Sequence, residues 1–306
     1  MPVEQKIIQG KCMQKHYEIS YLQLKVSLTA LERAELPPYL GSTLRGVIGQ
    51  ALLQTDREAC AFLYENKNED SSGVQITVKP YVIVPPKTCM PQTIIGQGQR
   101  LEFEILLIGT AVKYIDSLIT ALEQIYQFGL GVHRYRFCLS EIINSKEQRI
   151  LWKQKKYSLS GVRADVIPCH ELKNVTGVII KICTPLRIRH GGRLIESIPF
   201  QTLIRNITKR AAELTERYGG WVDRGEVEML LGLAGNVRTV REDLHLEHMK
   251  RYSNRSKEKM NIGGLMGEIE YEGDLTPFVP WLYIAQILHI GRNTTFGMGE
   301  IQVYFI

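Results

Sequence analysis

Two stretches of this chain echo one another. A helical pattern runs into "FGLG" and then a strand pattern around Phe128–Leu139, and a second helical pattern runs into "FGMG" and a closing strand pattern from Phe296 onward. A chain that passes from helix to strand twice through nearly the same glycine word is most simply a duplicated unit, because a single α/β domain leaves the echo without a cause. The segments before each glycine word bear this out. "YEISYLQLKVSLTALE" alternates apolar and polar residues, as a half-buried strand does. After Pro37 and Pro38, "YLGSTLRGVIGQALLQ" places Leu40, Leu44, Val47, Ile48, Ala51 and Leu52 on one helical face. "QITVKPYVIVPP" and "RLEFEILLIGTA" are rich in strand formers, "YIDSLITALEQIYQFGLG" is a helix ended by glycine, and "RYRFCLSEII" is a strand.

The second half reads in the same order: a strand in "GVIIKICTPLRIRHGG" and a helix in "FQTLIRNITKRAAELTERYGG". Hairpin arms follow in "LHLEHMKRYSN" and "NIGGLMGEIEYEG", then a helix in "TPFVPWLYIAQILHIG" and a strand in "EIQVYFI". Both halves are βαββαβ, so the predicted fold class is α+β, with two tandem ferredoxin-like domains. The boundary is expected in the polar, Lys-rich stretch "NSKEQRILWKQKKYSLSG", giving residues 1–150 and 151–306. At 306 residues and 44% hydrophobic the chain is long enough for two cores.

Charge is uneven: residues 1–150 carry 16 Lys/Arg against 15 Asp/Glu, and residues 151–306 carry 22 against 17. A basic second half suits an anionic partner such as nucleic acid, and a solvated face gives the same count. Six scattered cysteines show no zinc-ligand spacing, so no metal and no cofactor is expected from them. No uninterrupted apolar stretch is long enough to span a bilayer, so the expectation is a cytoplasmic protein with no membrane partner. The phosphate-loop, H-E-x-x-H and G-x-S-x-G motifs are absent, which argues against NTPase, zinc-protease and esterase chemistry.

Two stretches suggest anion binding. In "GRNTTFGMG", Gly291, Gly297 and Gly299 let backbone N–H groups approach a phosphate, and Arg292, Asn293 and Thr294 add donors; a tight turn with no ligand explains the glycines equally well. In "HMKRYSNRSKEKMN", Lys250, Arg251, Arg255, Lys257 and Lys259 surround one glutamate, with Tyr252 as a stacking surface; an exposed hairpin tip is the alternative.

Together "LPPYLGSTLRGVIGQAL", "PYVIVPP", "LEFEILLIGTA", "RYSNRSKEKMNIGGLMGEIEYEGDLTPFVPWL" and "LHIGRNTTFGMGEI" resemble the RAMP endoribonucleases that process precursor CRISPR RNA, the sixth CRISPR-associated family. The resemblance implies two ferredoxin-like domains, CRISPR repeat RNA as partner, and cleavage without a metal by 2′-OH attack. The partners to be expected are CRISPR repeat RNA and CRISPR effector complex subunits, with the chain a monomer or homodimer, a choice its sequence leaves open. Relatives often carry a histidine at the start of the first helix; "LPPYLGSTLRG" has Tyr39, Ser42 and Arg45 instead, which leaves a non-cleaving RNA-binding subunit as the alternative. Tyr39, His133 and His289 are the candidate proton-transfer residues. Arg45 joins the loop and hairpin residues as a candidate RNA contact, His190 and His248 lie in basic surroundings, and His16, His170 and His245 read as surface or packing residues.

Overall fold

The computed structural model describes residues 16–65, 78–86, 93–190, 193–253 and 258–306. Strand β1 (Ser20–Ala30) buries Leu22, Leu24, Val26, Leu28 and Ala30 along one face, as its two-residue period dictates. Helix α1 (Gly41–Thr55) covers that face through Leu44, Val47, Ile48, Ala51 and Leu52. Strands β2 (Tyr81–Val84) and β3 (Arg100–Ile108), helix α2 (Ile115–Glu123, continued by a turn at Ile125–Phe128) and strand β4 (Phe137–Asn144) complete the unit. The antiparallel order across the sheet is β2-β3-β1-β4.

The second half repeats this arrangement with β5 (Gly177–Leu186), α3 (Phe200–Tyr218), β6 (Arg238–Glu247), β7 (Gly264–Glu272), α4 (Val279–Leu288) and β8 (Ile301–Phe305). Its sheet order is β6-β7-β5-β8, the same permutation, so the fold is two ferredoxin-like units in tandem. The halves share a core. Tyr21, Val82, Leu106 and Ile108 leave the first sheet on the face opposite α1 and pack with the apolar residues of α3 and α4. Phe62 meets Tyr218 edge-on with ring centroids 5.7 Å apart, and the Tyr218 hydroxyl donates to the Val78 carbonyl at 2.9 Å.

Three features depart from the sequence reading. The Lys-rich stretch is no linker: Arg149–Lys153 adds to β4, and Lys156–Tyr157 folds back on it through Gln154 and Lys155, both at positive φ, as a two-residue hairpin turn requires. Asp165–Val166 then pairs with β1, so the first sheet draws strands from beyond residue 150 and the expected boundary there is too early. An unanticipated helix, Arg224–Leu233, is capped by the Asp223 carboxylate, which accepts the Glu226 N–H at 2.9 Å. The first hairpin arm starts at Arg238 rather than Leu244, and the ladder resumes past its root as Lys250–Ser253 against Glu258–Asn261. Among the described residues no helix is long and apolar enough to cross a membrane.

Candidate functional site

The start of α1 and the glycine loop after α4 come together at one end of both sheets. The Tyr39 hydroxyl donates to the Phe296 carbonyl at 2.6 Å, and a Cβ at Gly41 would fall 1.9 Å from that same oxygen. Gly297, at φ +83°, is pressed against the other half as well: a Cβ there would lie 2.4 Å from the Ile83 carbonyl on β2. The loop's inner N–H groups are also committed. Gly297 donates to Thr294 O at 2.8 Å and Gly299 to Pro185 O at 3.3 Å, while the Thr184 hydroxyl donates to Gly297 O at 2.9 Å. Gly297 and Gly299 were expected to bring N–H groups to a phosphate. They bring protein backbone to protein backbone instead, and the reading of them as phosphate donors is corrected accordingly.

The outer arm of the loop differs. Gly291, Arg292, Asn293 and Thr295 are only half-buried, Asn293 sits in the left-handed region at φ 65°, and Thr294 is buried. The Arg292 N–H donates to Arg187 O at 2.9 Å, which sets this arm beside the strand end that carries Arg187 and Arg189. Burial, and then the charges of Arg189 and Arg292, push the Arg187 guanidinium below its usual pKa, so both neighbouring cations lie close enough for Arg187 to feel their charge. Arg187 also donates to the Gly263 carbonyl at the root of the hairpin. Met249 and Ile262, from the two arms at that root, pack with Phe296, Met298 and Tyr39. Start of helix, glycine loop, arginine cluster and hairpin root are thus joined in one region of the fold.

Of the expected hairpin contacts, Lys250, Arg251, Tyr252 and Lys259 lie on the outer ladder, where Lys250 pairs with Asn261 and Tyr252 with Lys259. Arg255 and Lys257 fall outside the described residues. Arg45 does not stand free on its helix. Its Nε donates to the Tyr81 hydroxyl at 2.9 Å, and its guanidinium lies 4.8 Å from the Tyr64 ring centroid and 5.1 Å from that of Phe296. Burial opposes its charge, but the Tyr81 and Tyr64 hydroxyls outweigh that effect and hold its pKa up.

The three proton-transfer candidates separate. His289 is buried at 3% exposure, with Nδ1 3.2 Å from the Met298 carbonyl, which ties it to the glycine loop. Tyr39 is tied to Phe296 O, and burial raises its pKa further. His133 is exposed, in a turn whose Gly131 abuts Leu36, so it sits at the sheet end where α1 begins. His248 is also exposed, next to Met249 at the hairpin root. Arg187 and Arg189 went unnoticed in the sequence, although the R-x-R spacing at a strand end sets both on one face.

Comparison with known proteins places this geometry. Residues 180–301 match the family model of the CRISPR-associated endoribonuclease Cas6, and residues 19–164 match a family model described as an N-terminal domain. A protein of Archaeoglobus fulgidus described as uncharacterized is 25% identical over 294 residues, covering 88% of this chain and 92% of that one. Among solved structures, a Cas6 product complex superposes with a TM-score of 0.58 at 14% identity, over 93% of this chain and 99% of that chain. Thermus thermophilus Cas6 gives 0.55 at 13% identity, over 94% and 99%. The Cas6-bearing chain of a partial Cas6-RT-Cas1–Cas2 complex gives 0.60 at 11% identity, over 96% of this chain and 47% of that one. The second half of the chain is thus similar to the Cas6 endoribonuclease family, and the tandem ferredoxin-like fold is shared with solved Cas6 structures over nearly the whole length.

Proposed function

We propose that this chain is an endoribonuclease that cuts CRISPR repeat RNA in precursor transcripts to release guide RNAs. The reaction is attack of a ribose 2′-OH on the adjacent phosphate, without a metal, leaving a 2′,3′-cyclic phosphate and a 5′-OH. The observation that carries the reading is the gathering of Arg187, Arg189 and Arg292 beside the half-buried outer arm of the glycine loop, at the foot of a basic hairpin. Arg187 with two cationic neighbours suits a polyanion, and the group supplies charge where a phosphorane would develop. Tyr39 and His289 act by holding the loop, since both are committed to its backbone carbonyls. The proton steps fall to the exposed histidines of this surface, His133 and His248.

A second reading, a non-cleaving RNA-binding subunit of an effector complex, is favoured by the absence of histidine between Leu36 and Gly46. One assay separates the two. End-labelled repeat RNA is incubated with the full chain in EDTA, with circular dichroism showing the sample folded. Cleavage is expected, with a cyclic phosphate end, and a single 2′-deoxy substitution at the cut nucleotide should abolish it. Tight binding without cleavage at saturating protein would establish the non-cleaving reading, and cutting of the deoxy substrate would refute the 2′-OH mechanism. Within the enzyme reading, His133→Ala or His248→Ala lowers the cleavage rate at unchanged affinity.

A further inference from the structure

At the far end of α4 from the glycine loop, three distant segments of chain meet around a set of donor atoms. His16 leads into the short strand Tyr17–Glu18, which pairs with Trp221–Val222 of the second half. Cys169 and Glu171 lie on the connector between the halves, and Glu226 lies in the first turn of the helix Arg224–Leu233. A ring nitrogen of His16, the Cys169 Sγ and a Glu171 carboxylate oxygen all lie within 4.8 Å of one another. Their spacing in sequence, more than 150 residues, hides this from any motif search.

The histidine is held as a ligand would be. Its Nδ1 is 2.6 Å from Glu226 Oε1, and that oxygen also accepts the Trp281 indole N–H at 3.1 Å. A carboxylate that takes the Nδ1 proton leaves the lone pair on Nε2, and here Nε2 faces Glu171 Oε1 at 3.9 Å. An imidazole lone pair, a thiol and a carboxylate within 4.8 Å of one another form a mixed N/S/O donor set, which selects a borderline cation over magnesium or calcium. Zinc bonds of about 2.0–2.3 Å in a tetrahedron set ligand atoms roughly 3.3–3.8 Å apart. The three atoms need to close by only about an ångström to reach that spacing, and Glu171, whose side chain is 55% exposed, is free to swing.

We propose that His16, Cys169 and Glu171 bind one zinc ion, with Glu226 fixing the His16 ring and water in the fourth position. Binding forms the Zn–S bond as the Cys169 thiol gives its proton to solvent. The ion clasps the entry to β1 and the inter-domain connector to the helix Arg224–Leu233. It lies a full helix away from the proposed RNA surface and takes no part in cleavage.

The test uses the full chain stripped of metal and titrated with Zn2+ or Co2+, with no RNA present. One equivalent should bind, Co2+ should give a thiolate charge-transfer band, and Zn2+ should raise the melting temperature. Cys169→Ser should abolish the band and the thermal shift while staying folded by circular dichroism. Glu226→Gln should weaken Zn2+ binding by about 10–100-fold, and the exposed Glu171→Gln gives a variant in which folding is not at stake. Absence of stoichiometric binding by the folded wild type would overturn the proposal and leave only the polar contacts of His16 with Glu226 and Glu171. Binding that is unchanged in Cys169→Ser would overturn it equally.

Discussion

Gly297→Ala tests whether the glycine loop is a joint or an open phosphate nest. A methyl group at this position would lie 2.4 Å from the Ile83 carbonyl, 2.6 Å from Pro85 Cδ and 3.3 Å from the Tyr39 hydroxyl. Two of these neighbours are backbone or ring atoms of the first half, so the contact is relieved only by separating the halves. The left-handed backbone of an L-residue at φ +83° costs roughly 1–2 kcal/mol, and overpacking adds about 1–3 kcal/mol. The expected loss of stability is therefore about 2–5 kcal/mol. Gly131→Ala is the matched control from the first half's glycine word. It has a similar φ of +76° but meets only Leu36 Cδ2, at 3.1 Å, so its loss should stay near the backbone cost of about 1–2 kcal/mol. Urea unfolding of both variants measures the difference, with repeat-RNA affinity measured under conditions where each is folded. If Gly297→Ala is no less stable than Gly131→Ala yet loses RNA binding, the loop is a ligand nest after all and the inter-domain reasoning is refuted.

Other outcomes follow from the same contacts. Tyr39→Phe removes one hydrogen bond to Phe296 O and should cost about 0.5–1.5 kcal/mol of stability with cleavage kept within a few-fold; a hundredfold rate loss at unchanged affinity would make Tyr39 an acid or base. Alanine at Arg187, Arg189 or Arg292 should each reduce the slope of log affinity against log salt by about 0.7–0.9, read from binding curves across a salt series. Asp56 accepts the Ser117 hydroxyl at 2.6 Å and the Ala59 N–H at 3.0 Å, which hold its carboxyl below the usual range. A depressed carboxyl stabilises the fold fully above its unfolded pKa, and that stability is lost as pH falls through the lower folded value. Asp56→Ala should therefore be less stable at neutral pH by about 0.5–2 kcal/mol, and the gap from wild type should close in acid unfolding series below about pH 4.

The periodic elements were legible because their burial is local in sequence. The alternation from Leu22 to Ala30 and the face from Leu44 to Leu52 determine strand and helix without reference to the rest of the chain. The helix Arg224–Leu233 escaped because only Leu230 of its ten residues is buried, so its apolar face is weak; the Asp223-x-x-Glu226 spacing was its one clear signal. In the site, the glycine loop and the basic hairpin were visible as words, and the hairpin root, at Met249 and Ile262, packs with the loop at Phe296 and Met298. What glycine does there was not visible, since a residue that admits a phosphate and one that admits a carbonyl look alike. The partner of Gly297 is Ile83, more than two hundred residues away. Arg187 and Arg189 were read as part of a strand, because nothing nearby in sequence shows that Arg292 returns to them.

The contact of Gly41 and Gly297 across the two halves has a consequence for how a substrate is received. A loop clasped by the opposite unit's helix start and by β2 is shaped before any ligand arrives, so little of the binding energy goes into moving one half against the other. Under the proposed mechanism, the distortion needed to line up a 2′-oxygen, a phosphorus and a leaving oxygen would then fall on the nucleic acid. RNA segments that bend readily at the cut would be processed fastest, and selectivity would be read from the stiffness of the substrate as well as from its sequence.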